Sequence, residues 1–204
     1  MFETYSGNQK YPRAFIFAPG DSLKLCDIDA CIKSKTGLTI AIGNAHRLAN
    51  TSDILYHSDA KWWNFHKGQP NFAGKHRVCI EPTLHKDVRL IGNAGTHGLS
   101  AGNNEIFHGQ NSGYAALNLA VLHGVKEVIL LGYDMGYGPA QKDNFCGNHP
   151  AGVSNGFNPK KFKRFIKNFD YMLKPLAEMG VRVYNCNEGS ALECFPKVRL
   201  RDVL

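Results

Sequence analysis

Residues 110–137, QNSGYAALNLAVLHGVKEVILLGYDMGY, decide the fold. Ser112 has the chemistry of a helix N-cap, and residues 114–122 are apolar almost all round, a pattern a helix tolerates only when it is covered on two sides. Gly124 ends that helix. Residues 126–131 are then a short run of Val, Ile and Leu closing on Gly132, as expected of a central parallel strand with both faces buried. Tyr133, Asp134 and Tyr137 follow at the carboxyl end of that strand, where open α/β sheets place their ligands. The expectation is an α/β fold: a single Rossmann-like domain over residues 1–204, with a mostly parallel central sheet and helices on both faces.

Composition agrees with one domain. The chain has 204 residues, 43% of them hydrophobic, enough to bury a core without staples. No apolar run approaches the length of a membrane span, and the first residues lack the apolar segment of a signal peptide, so a soluble cytoplasmic protein is expected. Cys26, Cys31, Cys79, Cys146, Cys186 and Cys194 form no CxxC pair, which favours reduced thiols over a disulfide framework or a zinc site. The net charge of +7 favours an anionic partner: a nucleotide, an anionic or glycan acceptor, or nucleic acid. Nucleic acid is the weakest of these, because the basic residues are not interleaved with aromatics. The oligomeric state is left open.

In chain order, residues 13–18 (RAFIFA) read as the first strand, and Pro19, Gly20, Asp21 and Ser22 form a glycine turn before a helix. Such a turn either holds a phosphate at the helix N-terminus or is an ordinary capped turn. Asp27 and Asp29 spell a DxD, but within the helix, where a solvated face is the simpler reading. Residues 38–43 and 52–57 are the second and third strands, with Asn44 after one and Ser58 and Asp59 after the other. Trp62 and Trp63 read as core edge. Two further strands are expected at residues 76–82 and 87–92, then a glycine- and asparagine-rich surface loop up to Gln110. Residues 159–179 place Phe, Ile, Leu and Met at helical spacing opposite Lys160, Lys161, Lys163, Arg164 and Lys167, with Pro175 expected to kink or break the helix. Residues 181–184 are the last strand.

These blocks together, APGDSL, YHSDAKWW, NSGYAALNLAVLHGVKEVILLGYDM, GNHP and NCNEGSAL, resemble short phage and prophage proteins related to the glycosyltransferase family 42 sialyltransferases. The first turn departs from the usual GxGPSL of that family. The resemblance implies a cytidine-type nucleotide sugar donor bound without a metal, in a bacterial host cell. It implies that Gly20 and Ser22 approach the phosphate, and that Asn44 and Ser58 lie along the nucleotide. Ser112 and Gly113 would start the helix beneath it. Tyr137 and Tyr133 would hydrogen-bond the leaving phosphate, and His149 would serve as general base, a role suited to neutral imidazole near pH 7.

Two other readings use the same pocket. Pterin pyrophosphokinase-like proteins, a more distant resemblance, would bind ATP with Mg²⁺ on acidic residues such as Asp59 and Asp134. A non-enzymatic nucleotide-binding phage protein is the third.

Overall fold

The computed structural model describes residue 5 and residues 11–138, 142, 144–147, 153, 158 and 160–204. Its elements are β1 (Arg13–Phe17), α1 (Leu25–Ser34), β2 (Leu38–Ile42), β3 (Ile54–Tyr56), α2 (Ala60–Phe65), β4 (His76–Cys79), β5 (Val88–Leu90), β6 (Gly92–Gly95), β7 (Glu105–Phe107), α3 (Ser112–Leu122), β8 (Glu127–Leu131), α4 (Lys161–Glu178) and β9 (Arg182–Asn185). Seven strands form one sheet in the order β5-β4-β3-β2-β1-β8-β9, and every pairing in it is parallel.

Period-two alternation divides the strand residues between two cores. Ala14 and Ile16 of β1, Leu38 and Ile40 of β2 and Val128 and Leu130 of β8 point to the face covered by α3 and by Phe169, Met172 and Leu176 of α4. Phe15, Phe17, Ala41, Ile129 and Leu131 point to the other, against Ile28 and Cys31 of α1 and Trp62 and Trp63 of α2. Both faces of the central strands are buried, which is why their sequences are continuously apolar rather than alternating. Both tryptophans are fully enclosed.

Helix α3 is buried along every residue from Tyr114 to Leu122, as its sequence requires. Its cap differs from expectation: Asn111, not Ser112, is the N-cap, its side chain accepting from the Tyr114 N–H at 2.8 Å. Asn and Ser are equally good caps, and the Ser112 hydroxyl is used elsewhere. Asn111→Ala is expected to cost about 1 kcal/mol, measured as a lower urea midpoint.

Two further points concern local structure. Residues 92–110, expected as a loop, contain the parallel pair β6–β7. Its support comes from α3, where the Asn118 amide oxygen accepts from the N–H groups of Ser100 at 3.1 Å and Phe107 at 2.9 Å. Pro175 lies inside α4, so of the kink or break expected there, the helix does not break.

Candidate functional site

The chain runs outward from β1 through β2, β3, β4 and β5, then returns to lay β8 on the other side of β1. That reversal leaves a crevice at the carboxyl ends of the strands, the place where doubly wound sheets bind ligands. Here it is a cleft of about 570 Å³ lined by the segments leaving β1 (Ala18, Pro19, Gly20), β2 (Gly43, Asn44), β3 (His57, Asp59), β4 (Glu81) and β8 (Gly132 to Gly136). Helix α3 contributes Ser112 and Gly113, and α4 contributes Lys161, Phe162, Arg164 and Phe165.

The floor depends on two glycines in close approach. A Cβ on Gly20 would collide with the Gly132 carbonyl and stand 2.6 Å from Asp134 Cγ. Between the same segments the Gly20 N–H donates to Gly132 O at 3.1 Å. Asp134 then ties three segments together. Its carboxylate accepts from the Ser22 backbone N–H at 3.0 Å, from the Ser22 hydroxyl, and from Asn187 Nδ2 at 2.8 Å. Ser22 therefore faces Asp134, and both carboxylate oxygens are engaged within the protein. The NCNEGSAL block, which contains Asn187, acts in this clasp.

At the start of α3, Ser58 donates its N–H to Ser112 Oγ at 3.1 Å, and the two hydroxyls lie 3.2 Å apart. The exit of β3 is thereby docked on the first turn of the helix. Tyr133 lies beneath Gly113, to whose carbonyl it donates its hydroxyl at 3.0 Å, and burial holds its phenol well above the ordinary range. A Cβ on Gly113 would stand 2.9 Å from that ring, so glycine lets helix and tyrosine meet. The N–H groups of Ser112 and Gly113 belong to the first turn, where no intrahelical acceptor exists.

Asn44 is 5% exposed, and its Oδ1 has no hydrogen-bond partner among the described residues. An unsatisfied buried amide oxygen costs about 1–3 kcal/mol, and this one belongs to a residue that lines the cleft. Nearby His46 is buried with Nδ1 2.7 Å from Gly43 O, and burial pulls its imidazole down from the ordinary value.

Charge divides the cleft: Lys161 and Arg164 stand on the α4 side, while Asp59 and Glu81 stand beyond β3 and β4. Of the residues named from sequence, Gly20, Asn44, Ser112, Gly113 and Tyr133 come together here. Tyr137 lies in an adjoining cavity of about 220 Å³, where its hydroxyl exchanges hydrogen bonds with the Asn158 backbone at 3.0 and 2.8 Å and its ring meets Phe162 edge-on. His149 lies outside the described residues. Asp27 and Asp29 belong to α1, where Asp29 sits 3.9 Å from Lys33 on an exposed face. Sequence reading passed over His57, Glu81 and the clasp formed by Asp134. For His57 a signal existed in its position immediately after a buried strand.

Fold and cleft define a Rossmann-like α/β protein with an open cleft at its topological switch point. Among solved structures, the MAf glycosyltransferase from Magnetospirillum magneticum AMB-1 superimposes with a TM-score of 0.61 at 15% identity, over 98% of this chain and 35% of that one. This chain thus spans about a third of that protein, and the likeness is one of fold. No protein-family model and no curated protein matches the sequence. Among the described residues no helix is long and apolar enough to cross a membrane.

Proposed function

We propose that this protein is a glycosyltransferase-like enzyme that binds a nucleotide sugar in the switch-point cleft. The observation that carries the reading is convergence on one cavity of Ser112 and Gly113 in the first turn of α3, the unsatisfied Asn44 oxygen and the cations Lys161 and Arg164. A helix N-terminus and two cations suit phosphate, and a buried acceptor suits a base or sugar donor. The neighbour's name as a glycosyltransferase supports the reaction class, although fold by itself does not carry function. The sequence resemblance supports a cytidine-type donor, a glycan or other anionic acceptor, phage origin, a cytoplasmic setting and His149 as the general base.

Metal independence is part of the same reading. Asp134, which follows the carboxyl end of β8, already accepts from Ser22 and Asn187. In this reading Tyr133 supports the phosphate indirectly, by holding Gly113. Asp59 and Glu81 favour a second reading, an ATP-binding pyrophosphokinase-like enzyme, because both carboxylates line the cleft and Mg²⁺ takes carboxylate and phosphate oxygens together.

The test is a thermal-shift series with CMP, CDP, UDP, GDP, ADP and ATP, each with Mg²⁺ and with EDTA. A cytidine nucleotide at a hundred times its Kd is expected to raise Tm by about 5–10 °C in EDTA. A shift seen only for ATP with Mg²⁺ favours the second reading, and no shift with any nucleotide overturns both. The double variant Lys161→Ala/Arg164→Ala is expected to weaken nucleotide binding about tenfold or more. Its free Tm should stay within about 2 °C of the parent, since neither residue belongs to the core.

A further inference from the structure

We propose that the cavity of about 220 Å³ beside the cleft holds a single sugar ring, with the Asp21 carboxylate accepting from its hydroxyls and Asn144 Nδ2 donating to one of its oxygens. The presence of a sugar rests on the nucleotide-sugar reading above; the recognition chemistry comes from the cavity itself.

The small cavity shares Gly20, Asp134 and Gly136 with the larger cleft, so an occupant of one lies against an occupant of the other. Asn144 stands on its wall and is 3% exposed. The Phe145 N–H donates to Pro19 O at 3.1 Å, which ties this segment to the exit of β1, and the Gly147 N–H donates to Asn144 O at 2.8 Å. The amide orientation is settled by the Cys146 backbone N–H, which meets Asn144 Oδ1 at 2.9 Å. A backbone N–H only donates, so oxygen occupies that position and the amide nitrogen is the other end. Asn144 Nδ2 has no hydrogen-bond partner among the described residues. A buried donor left so is costly, and a ligand oxygen would satisfy it.

Asp21 supplies the opposite chemistry. Its carboxylate makes no hydrogen bond or ion pair among the described residues. A Cβ on Gly138 would run into Asp21 Oδ2, so glycine there lets the carboxylate lie against the backbone of the cavity wall. Both oxygens of Asp134 are already engaged by Ser22 and Asn187, which leaves Asp21 as the open acceptor. A phosphate here would meet two carboxylates, Asp21 and Asp134, against the one cation Lys142. Hydroxyls suit the site instead, because they donate to a carboxylate and accept from an amide. The volume has room for roughly seven waters at about 30 Å³ each, the scale of one sugar ring and below that of a nucleotide.

The experiment is saturation-transfer NMR and Kd titration of the intact protein with glucose, galactose, N-acetylglucosamine and N-acetylneuraminic acid, alone and with CMP, on the parent, Asp21→Ala and Gly138→Ala. At least one sugar is expected to bind the parent, and both variants to bind it about tenfold or more weakly. Their Kd for CMP should stay within about twofold of the parent. Gly138→Ala displaces only the end of the Asp21 side chain, and its Tm is expected within about 2 °C of the parent. Competition by UDP-glucose or CMP-N-acetylneuraminate, but not by CMP, assigns the ring to the donor, and binding that persists beside them assigns it to the acceptor. Absence of sugar binding by the parent, equal sugar affinity in both variants, or displacement by CMP itself overturns the proposal. Sugar binding by a protein that binds no nucleotide overturns the nucleotide-sugar reading and supports the ring site alone.

Discussion

Gly132→Ala is expected to destabilise the protein by about 2–5 kcal/mol and, on the nucleotide-sugar reading proposed above, to remove its thermal response to nucleotides. Gly132 has φ +74°, a left-handed conformation that costs an L-residue about 1–2 kcal/mol. Its added methyl would run into the Ala18 carbonyl and stand 3.1 Å from Leu23 Cβ. Forcing a methyl into a filled site costs roughly 1–3 kcal/mol more. The displaced backbone is the cleft floor, where β1 and β8 continue their pairing past the sheet through Ala18 N–H to Leu131 O at 2.8 Å and Gly20 N–H to Gly132 O. Urea unfolding of Gly132→Ala beside Gly136→Ala is the measurement. Gly136 has ordinary φ and open space around its would-be Cβ, so its variant is expected within about 0.5 kcal/mol of the parent. Equal stability of the two variants would show that the β1 and β8 segments do not meet as described.

Asp134→Ala separates a structural clasp from a metal site. Removing the carboxylate leaves the Ser22 N–H, the Ser22 hydroxyl and the Asn187 amide without their acceptor. Hydrogen bonds to a charged group contribute about 1.5–3 kcal/mol each and do not add fully within one network. The expected loss is about 2–4 kcal/mol, equal in Mg²⁺ and in EDTA. Asp134→Asn keeps one oxygen but turns an N–H₂ toward a donor, and is expected to lose about half as much. A metal ligand would behave otherwise: the metal-free protein would keep its stability, and the loss would appear only in Mg²⁺-dependent binding.

Local patterns carried most of the fold. The apolar run of α3, the β8 strand and their glycine stops are written within 28 residues, because burial on both faces leaves no polar positions to obscure the reading. The strand limits agree with the structure to within a few residues. The pair β6–β7 was illegible because Gly and Asn carry no alternation, and its order comes from Asn118 on a helix later in the chain. The N-cap of α3 was off by one because two cap-competent residues stand side by side, and Ser112 is drawn to Ser58, 54 positions away.

The site divides in the same way. Residue type and the strand-end rule pointed to Gly20, Asn44 and Tyr133, since residues just past the ends of parallel strands converge without knowledge of their partners, while Ser112 and Gly113 came only from the family resemblance; the structure brings all five to one cleft. What each does there was decided by tertiary structure. Ser22 meets Asp134 across 112 residues, and Tyr133 spends its hydroxyl on Gly113. His57 meets the Asp59 backbone N–H at Nδ1 and stacks on Trp62. The sequence by itself determined the α/β class, the parallel sheet and the end of the sheet where ligands belong, because these follow from burial periodicity along single segments. Only the tertiary structure decided which polar groups are spent on one another and which are left for a ligand, because hydrogen-bond partners lie across the sheet reversal and direct contact alone assigns them.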